Sequence, residues 1–191
     1  VAETRTINGE DYHILLSKRF DRNSDGKRIH FASALTLLGL TDGDNASTGY
    51  GYTDIADFII QHGSNVEQNL EELFRRVAFY VIVGNSDDHF RNHGFLLTRK
   101  GWELSPAYDI NPTIFDNQSL LINRSTSQSD LNILLASAGD YMLSGDKANS
   151  IITEVKTAMK LWRTEARRLG LPQRDIDMFA PRFDKWIESP I

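Results

Sequence analysis

Asn85-Ser86-Asp87-Asp88-His89-Phe90-Arg91-Asn92-His93 holds the residues of this chain best suited to chemistry. An aspartate, an asparagine five residues later, a predicted β-hairpin and then Asp109 stand in the order that phosphoryl transfer uses. Asp87 can accept a hydroxyl proton, while Asn92 and Asp109 can hold Mg²⁺ against a nucleotide's phosphates. Each residue also has a plainer reading. Asp87 or Asp88 can cap a helical turn. Asn92 can serve as a turn residue before Gly94, and Asp109, just ahead of Ile110-Asn111-Pro112, can make an Asx-turn. Taken together, the three favour chemistry. His89 and His93, four residues apart, offer another route. With Asp87, Asp88 and Asp109 they are the ligand types of a transition-metal hydrolase, although Asn92-His93-Gly94 should already be leaving any helix.

The elements around the loop are legible in outline. Leu70, Leu73, Phe74, Val77, Ala78, Val81 and Ile82 recur at helical spacing and predict a helix over 66–83. Its last turn is apolar all round and so should be buried, with Gly84-Asn85 ending it. The apolar runs 94–98 and 101–104 flank Arg99-Lys100 and predict the hairpin. Upstream, 12–20 reads as a strand after an Asn8-Gly9 turn signal. Short helices are predicted over 31–38 and 53–61, with Gly63 placed to end the second. The Gly- and Asp-rich 41–52 between them reads as a mobile loop. Beyond an irregular stretch to 127, helices are predicted over 129–138, over 147–169 and from Pro172 to about 186.

Composition narrows the function classes. A net charge of −5 argues against direct binding along a nucleic-acid backbone, which needs a basic surface. The absence of cysteine excludes disulfides, thiolate metal sites and Cys nucleophiles, and suits a cytoplasmic protein. No apolar run approaches the length of a membrane span, so no membrane association is expected. The polar opening at Val1, without an initiator Met, reads as a cut within a longer protein.

Lys18-Arg19-Phe20-Asp21-Arg22, the 84–92 loop, and Leu104-Ser105-Pro106-Ala107-Tyr108-Asp109 follow one another along the chain. Together these three segments resemble the HipA-type serine/threonine kinases, the toxin components of bacterial toxin–antitoxin pairs. The resemblance implies an α+β, predominantly helical fold: a kinase-like C-lobe with a hinge strand and a small β-hairpin carrying the metal-site residues. The hinge region would occupy 1–22 and the helical lobe 23–191. It implies Asp87 as catalytic base and Asn92 and Asp109 as Mg²⁺ ligands. His89, Phe90, Arg91 and Tyr108 would lie beside ATP, and the backbone of Lys18, Arg19 and Phe20 would take the adenine. It further implies a protein substrate bearing Ser or Thr, a HipB-like antitoxin partner, and DNA reached only through that partner.

Two departures stand out. The family's phosphate-binding loop and strand lysine lie upstream of the hinge, and nothing before Tyr12 supplies them. Lys18 also stands where the family commonly has an acidic residue, a change of little weight if the contact is through backbone. Alone, this sequence is therefore expected to bind ATP weakly and to transfer phosphate poorly. The competing reading is a non-catalytic, pseudokinase-like regulatory module that binds an antitoxin.

Overall fold

The computed structural model describes residues 2–7 and 10–189, with backbone alone for 2–7 and 10–15. The chain divides into two compact units, residues 1–30 and 31–191. In the first, β1 (Ala2–Ile7) and β2 (Glu10–Leu15) pair antiparallel, with Ala2 opposite Leu15 and Ile7 opposite Glu10. The Asn8-Gly9 turn expected between them lies outside the described residues. β2 stops at Leu15, where its ladder with β1 ends, so 16–20 is irregular backbone rather than the continuation of a strand. The following turn closes on Asn23, whose side-chain oxygen accepts from the amides of Asp25 and Lys27.

The second unit is a helical body with one small sheet. β3 (Phe31–Ser33), β4 (Gly94–Thr98) and β5 (Gly101–Leu104) form an antiparallel sheet in that order, Ser33 facing Gly94 and Phe95 facing Leu104. The helices are α1 (Ala34–Leu37), α2 (Tyr52–His62), α3 (Val66–Val83), α4 (Leu131–Ala136), α5 (Gly145–Met159), α6 (Trp162–Arg168) and α7 (Gln173–Glu188). The fold is α+β and mostly helical, as the sequence implies. No helix among the described residues is long and apolar enough to cross a membrane.

α3 is the axis of this unit. Leu70, Leu73, Phe74, Val77, Ala78, Val81 and Ile82 are all fully buried, each burial of a large apolar side chain contributing about 1.5–3 kcal/mol. α2, α5 and α7 pack around it. Three departures from expectation have local causes. Phe31–Ser33 joins the sheet by pairing with β4, a partner remote in sequence, and Ser33 then caps the short α1. The helix expected over 147–169 breaks at Lys160-Leu161, where amides bond three residues back, and restarts at Trp162. The 41–52 segment, expected to be mobile, is tied down instead. Asn45 and Thr48 cap each other around a 3₁₀ turn, and backbone bonds join Ala46 to Ser119 and both Tyr50 and Tyr52 to Leu121.

Gly84 ends α3 in the left-handed region at φ 68°. A Cβ there would lie 2.4 Å from the carbonyl oxygen of Thr113, backbone that cannot swing aside. Gly84→Ala should therefore cost about 1–3 kcal/mol, read as a fall of several degrees in melting temperature. An unchanged melting temperature would show that residues 113 and 84 separate freely.

Candidate functional site

The loop after α3 is held at both ends by the chain segment that follows β5. At its start, Gly84 presents its carbonyl to the amide of Thr113 (2.9 Å) and to the Thr113 hydroxyl (2.7 Å). Asn85, buried, accepts the Asn111 amide at Oδ1 (2.8 Å). The Ser86 carbonyl accepts both the amide and the hydroxyl of Ser119, at 3.0 and 2.6 Å. At the loop's far end, the Tyr108 hydroxyl donates to the carbonyl of Arg91 (2.6 Å). Asp109 thus lies on a four-residue strap whose ends, Tyr108 and Asn111, bond to opposite ends of the loop bearing Asp87 and Asn92.

The three proposed chemical groups differ in environment. Asp87 is exposed and stands at no helix cap: the N-cap position of the short 3₁₀ turn Phe90–Asn92 is His89, whose side chain makes no capping bond. Asn92 is buried, its amide donates to the His89 carbonyl (2.8 Å), and its side chain has no hydrogen bond among the described residues. Asp109 is exposed with its backbone in the left-handed region at φ 56°, which Asp tolerates better than most residues. Its carboxylate takes the Asn111 side-chain amide at 3.1 Å, while the Asn111 backbone amide goes to Asn85 instead of closing an Asx-turn. A neutral amide oxygen and a carboxylate suit a hard cation that fills its other positions with phosphate and water. The Asn92 side chain, which bonds to no described residue, fits such a role.

The remaining residues separate. His89 is half-buried, with Nδ1 enclosed and without a hydrogen-bond partner among the described residues. Phe90 is fully buried with its ring edge-on to Tyr50 at 6.4 Å, so it packs in the core and forms only the floor of the neighbouring hollow. Arg91 is exposed and paired with Asp42. A cleft of about 190 Å³ opens between Asp87, His89 and Arg91 on one side and Asp42, Asp44 and Asn45 on the other. Burial, with the charges of Asp88 and Asp109, pushes the Tyr108 phenol up to about 12. Lys18, Arg19 and Phe20 belong to the first unit. There the Arg19 guanidinium grips Asp21 with bonds of 2.7 and 2.5 Å and, as the largest cause, holds that carboxyl down at about 2.

His93 overturns the hydrolase arrangement. It is wholly buried, with Nε2 bonded to Asp88 at 2.7 Å, so neither residue faces an open metal site. Among the described residues, no group of three or more His, Cys, Asp and Glu side chains is placed to hold a metal. Asp88 also accepts the Tyr52 hydroxyl at 2.8 Å, a partner thirty-six residues away. Sequence reasoning missed this pairing. The only local hint was two ionisable residues five apart between a buried helix and an apolar strand.

Comparison with known proteins agrees with this architecture. The model of the HipA-like C-terminal domain matches residues 1–162. A putative kinase of Haemophilus influenzae is 31% identical over 128 residues, covering 60% of this chain and 37% of that protein. The putative kinase Y4mE of Sinorhizobium fredii is 26% identical over 118 residues, covering 59% of this chain and 28% of that protein. The chain therefore spans well under half the length of these relatives. Among solved structures, one of the Shewanella oneidensis MR-1 toxin–antitoxin system HipA and HipB with operator DNA superposes with a TM-score of 0.74. The match has 18% identity and covers 98% of this chain and 50% of that one, a likeness of fold.

The raised Tyr108 phenol has a measurable consequence. From its ordinary value of 10 up to about 12, the folded protein keeps a proton that the unfolded chain has lost. This contribution to stability is complete below about pH 10 and is lost as pH rises through about 12. Tyr108→Phe should accordingly lose less melting temperature between about pH 9 and about pH 11 than the wild type does. Equal losses would show an ordinary phenol.

Proposed function

The chain belongs to the HipA-like C-terminal domain family, and on that footing we propose that it is the catalytic C-lobe of an ATP- and Mg²⁺-dependent serine/threonine protein kinase. The observation that carries this reading is the strap. Bonds from Tyr108 to the Arg91 carbonyl and from Asn111 to Asn85 hold Asp109 against the loop bearing Asp87 and Asn92.

In this reading Asp87 orients the acceptor Ser or Thr hydroxyl and takes its proton, a task suited to an exposed carboxylate facing a cleft. Asn92 and Asp109 supply the two protein oxygens of the cation site. Bound Mg·ATP supplies the transferable phosphoryl group and the positive charge that offsets its oxygens. The chain's own contribution is positioning: partly buried hydrogen bonds between 84–86 and 111–119 set the loop before any ligand arrives. His89, Arg91 and Tyr108 line the nucleotide side, and the backbone of Lys18, Arg19 and Phe20 takes adenine, with 1–22 as hinge region and 23–191 as helical lobe. The Shewanella HipA was solved with HipB and operator DNA. By analogy we assign this chain a HipB-like partner, with DNA reached through it, in keeping with the net charge of −5. The reading places the protein in the cytoplasm.

The test is γ-phosphate transfer from Mg·ATP to protein, by the natural protein that carries this chain. Asp87→Asn should lower kcat by about 10²–10⁴-fold. Asp109→Asn should raise the Mg²⁺ concentration needed for half-maximal rate by about tenfold or more. No transfer by folded wild type would replace this reading with a regulatory, antitoxin-binding module. Free phosphate without labelled protein would defeat the protein-kinase reading.

A further inference from the structure

Asp88 is 1% exposed and His93 and Tyr52 are 0% exposed, yet they meet at one atom. Asp88 Oδ2 accepts the Tyr52 hydroxyl at 2.8 Å and lies 2.7 Å from His93 Nε2. The Tyr52 and Tyr80 rings both stand edge-on to the imidazole, with centroids at 5.7 and 6.1 Å. The His93 carbonyl accepts the amide of Ala34 (2.7 Å), which fastens that end of the loop to α1. Asp88 Oδ1 and His93 Nδ1 find no partner among the described residues.

The placement of the three residues is what matters. Asp87 precedes Asp88, and Asn92 precedes His93, so one buried hydrogen bond joins the immediate neighbours of both proposed chemical groups. Tyr52, the first residue of α2, anchors that bond to a second helix. Between Asp88 and His93 the backbone closes on itself through Asn92 and His89. The loop is thereby clamped from beneath, while Tyr108 and Asn111 clamp it from the Asp109 side.

We propose that Asp88, His93 and Tyr52 are positioning residues: a buried brace that fixes Asp87 and Asn92 relative to one another. The brace is a physical property of the loop, and its value for catalysis rests on the kinase reading above. None of the three touches the phosphoryl group. Their role is to remove freedom from a loop that would otherwise have to be ordered by its ligands.

The contrast between Asp88→Asn and Asp88→Ala tests this in the natural protein. The Asn side chain keeps an oxygen that can accept from both Tyr52 and His93, whereas Ala keeps neither bond. Asp88→Ala should raise amide hydrogen exchange at Asn85 and Asn92 by about tenfold or more. It should also lower kcat for phosphate transfer by about tenfold or more while leaving the KM for ATP within about threefold. Asp88→Asn should restore exchange and kcat to within about threefold of wild type. Should the Ala variant fail to fold, Tyr52→Phe removes one bond without opening a cavity and should show the same pattern more weakly. Unchanged exchange in Asp88→Ala, or in Tyr52→Phe where that variant replaces it, overturns the brace. So does a fall in kcat that Asn fails to rescue. A wild type that transfers nothing, with the exchange pattern as expected, defeats the kinase reading and leaves the brace standing.

Discussion

The C-terminal end of α3 is buried, and a buried helix end must find partners for its last carbonyls. The Tyr80 carbonyl takes the amide of Asn85 and the side chain of Gln118. That of Val81 takes the guanidinium of Arg182, and that of Gly84 takes the Thr113 amide and hydroxyl. Water cannot supply these bonds at such depth. The segment after the hairpin and a residue of α7 therefore have to return to this point. Satisfying one helix terminus thus delivers Asp109 to the loop bearing Asp87 and Asn92. The same bonds close the fold and bring Asp109 to that loop.

The same constraint explains why some polar residues sit in the core. Arg182 is almost fully buried on α7, and burial lowers its pKa, opposed by Asp116 at 2.7 Å. Arg76, buried on α3, gives one nitrogen to Glu72 and another to the Ser105 carbonyl, which fixes where the chain leaves β5 for the strap. Asn69 receives the Leu104 amide at 2.8 Å and so registers the sheet against α3. The two arginines are worth more as geometric ties than as stabilising charges, because a guanidinium taken into the interior gives back much of its attraction as desolvation.

How much of this the sequence foretold depends on the range of the interaction involved. α3 and the two hairpin strands fall at the predicted residues, because apolar periodicity is a local signal and their packing agrees with it. Gly84 at the helix end was equally plain. The break at Lys160-Leu161 was not, since the apolar spacing runs on through Trp162 and Ala166 with no Gly or Pro to mark a stop. Phe31–Ser33 was hidden because its strand state depends on β4. The ties of 41–52 were hidden because their partners are at 119–121. For the site, residue types and order pointed to Asp87, Asn92 and Asp109. The Asn85–Asn111 bond and the Asp88–Tyr52 bond depend on chain return and left no local trace.

That hidden layer is where the structure is hardest to explain by stability alone. An apolar pair in place of Asp88 and His93 would fill the space between the loop, α2 and α3 without leaving Oδ1 and Nδ1 unpartnered, each of which costs free energy. Apolar packing, however, is tolerant of small displacements, whereas a hydrogen bond of 2.7 Å between two buried side chains admits little change in distance or angle. A loop with the roles proposed above, an exposed carboxylate at one residue and a cation-binding amide five residues on, gains from the second property and tolerates the loss of the first. The polar pair therefore sits where directional restraint has value, directly beneath the residues assigned the chemistry.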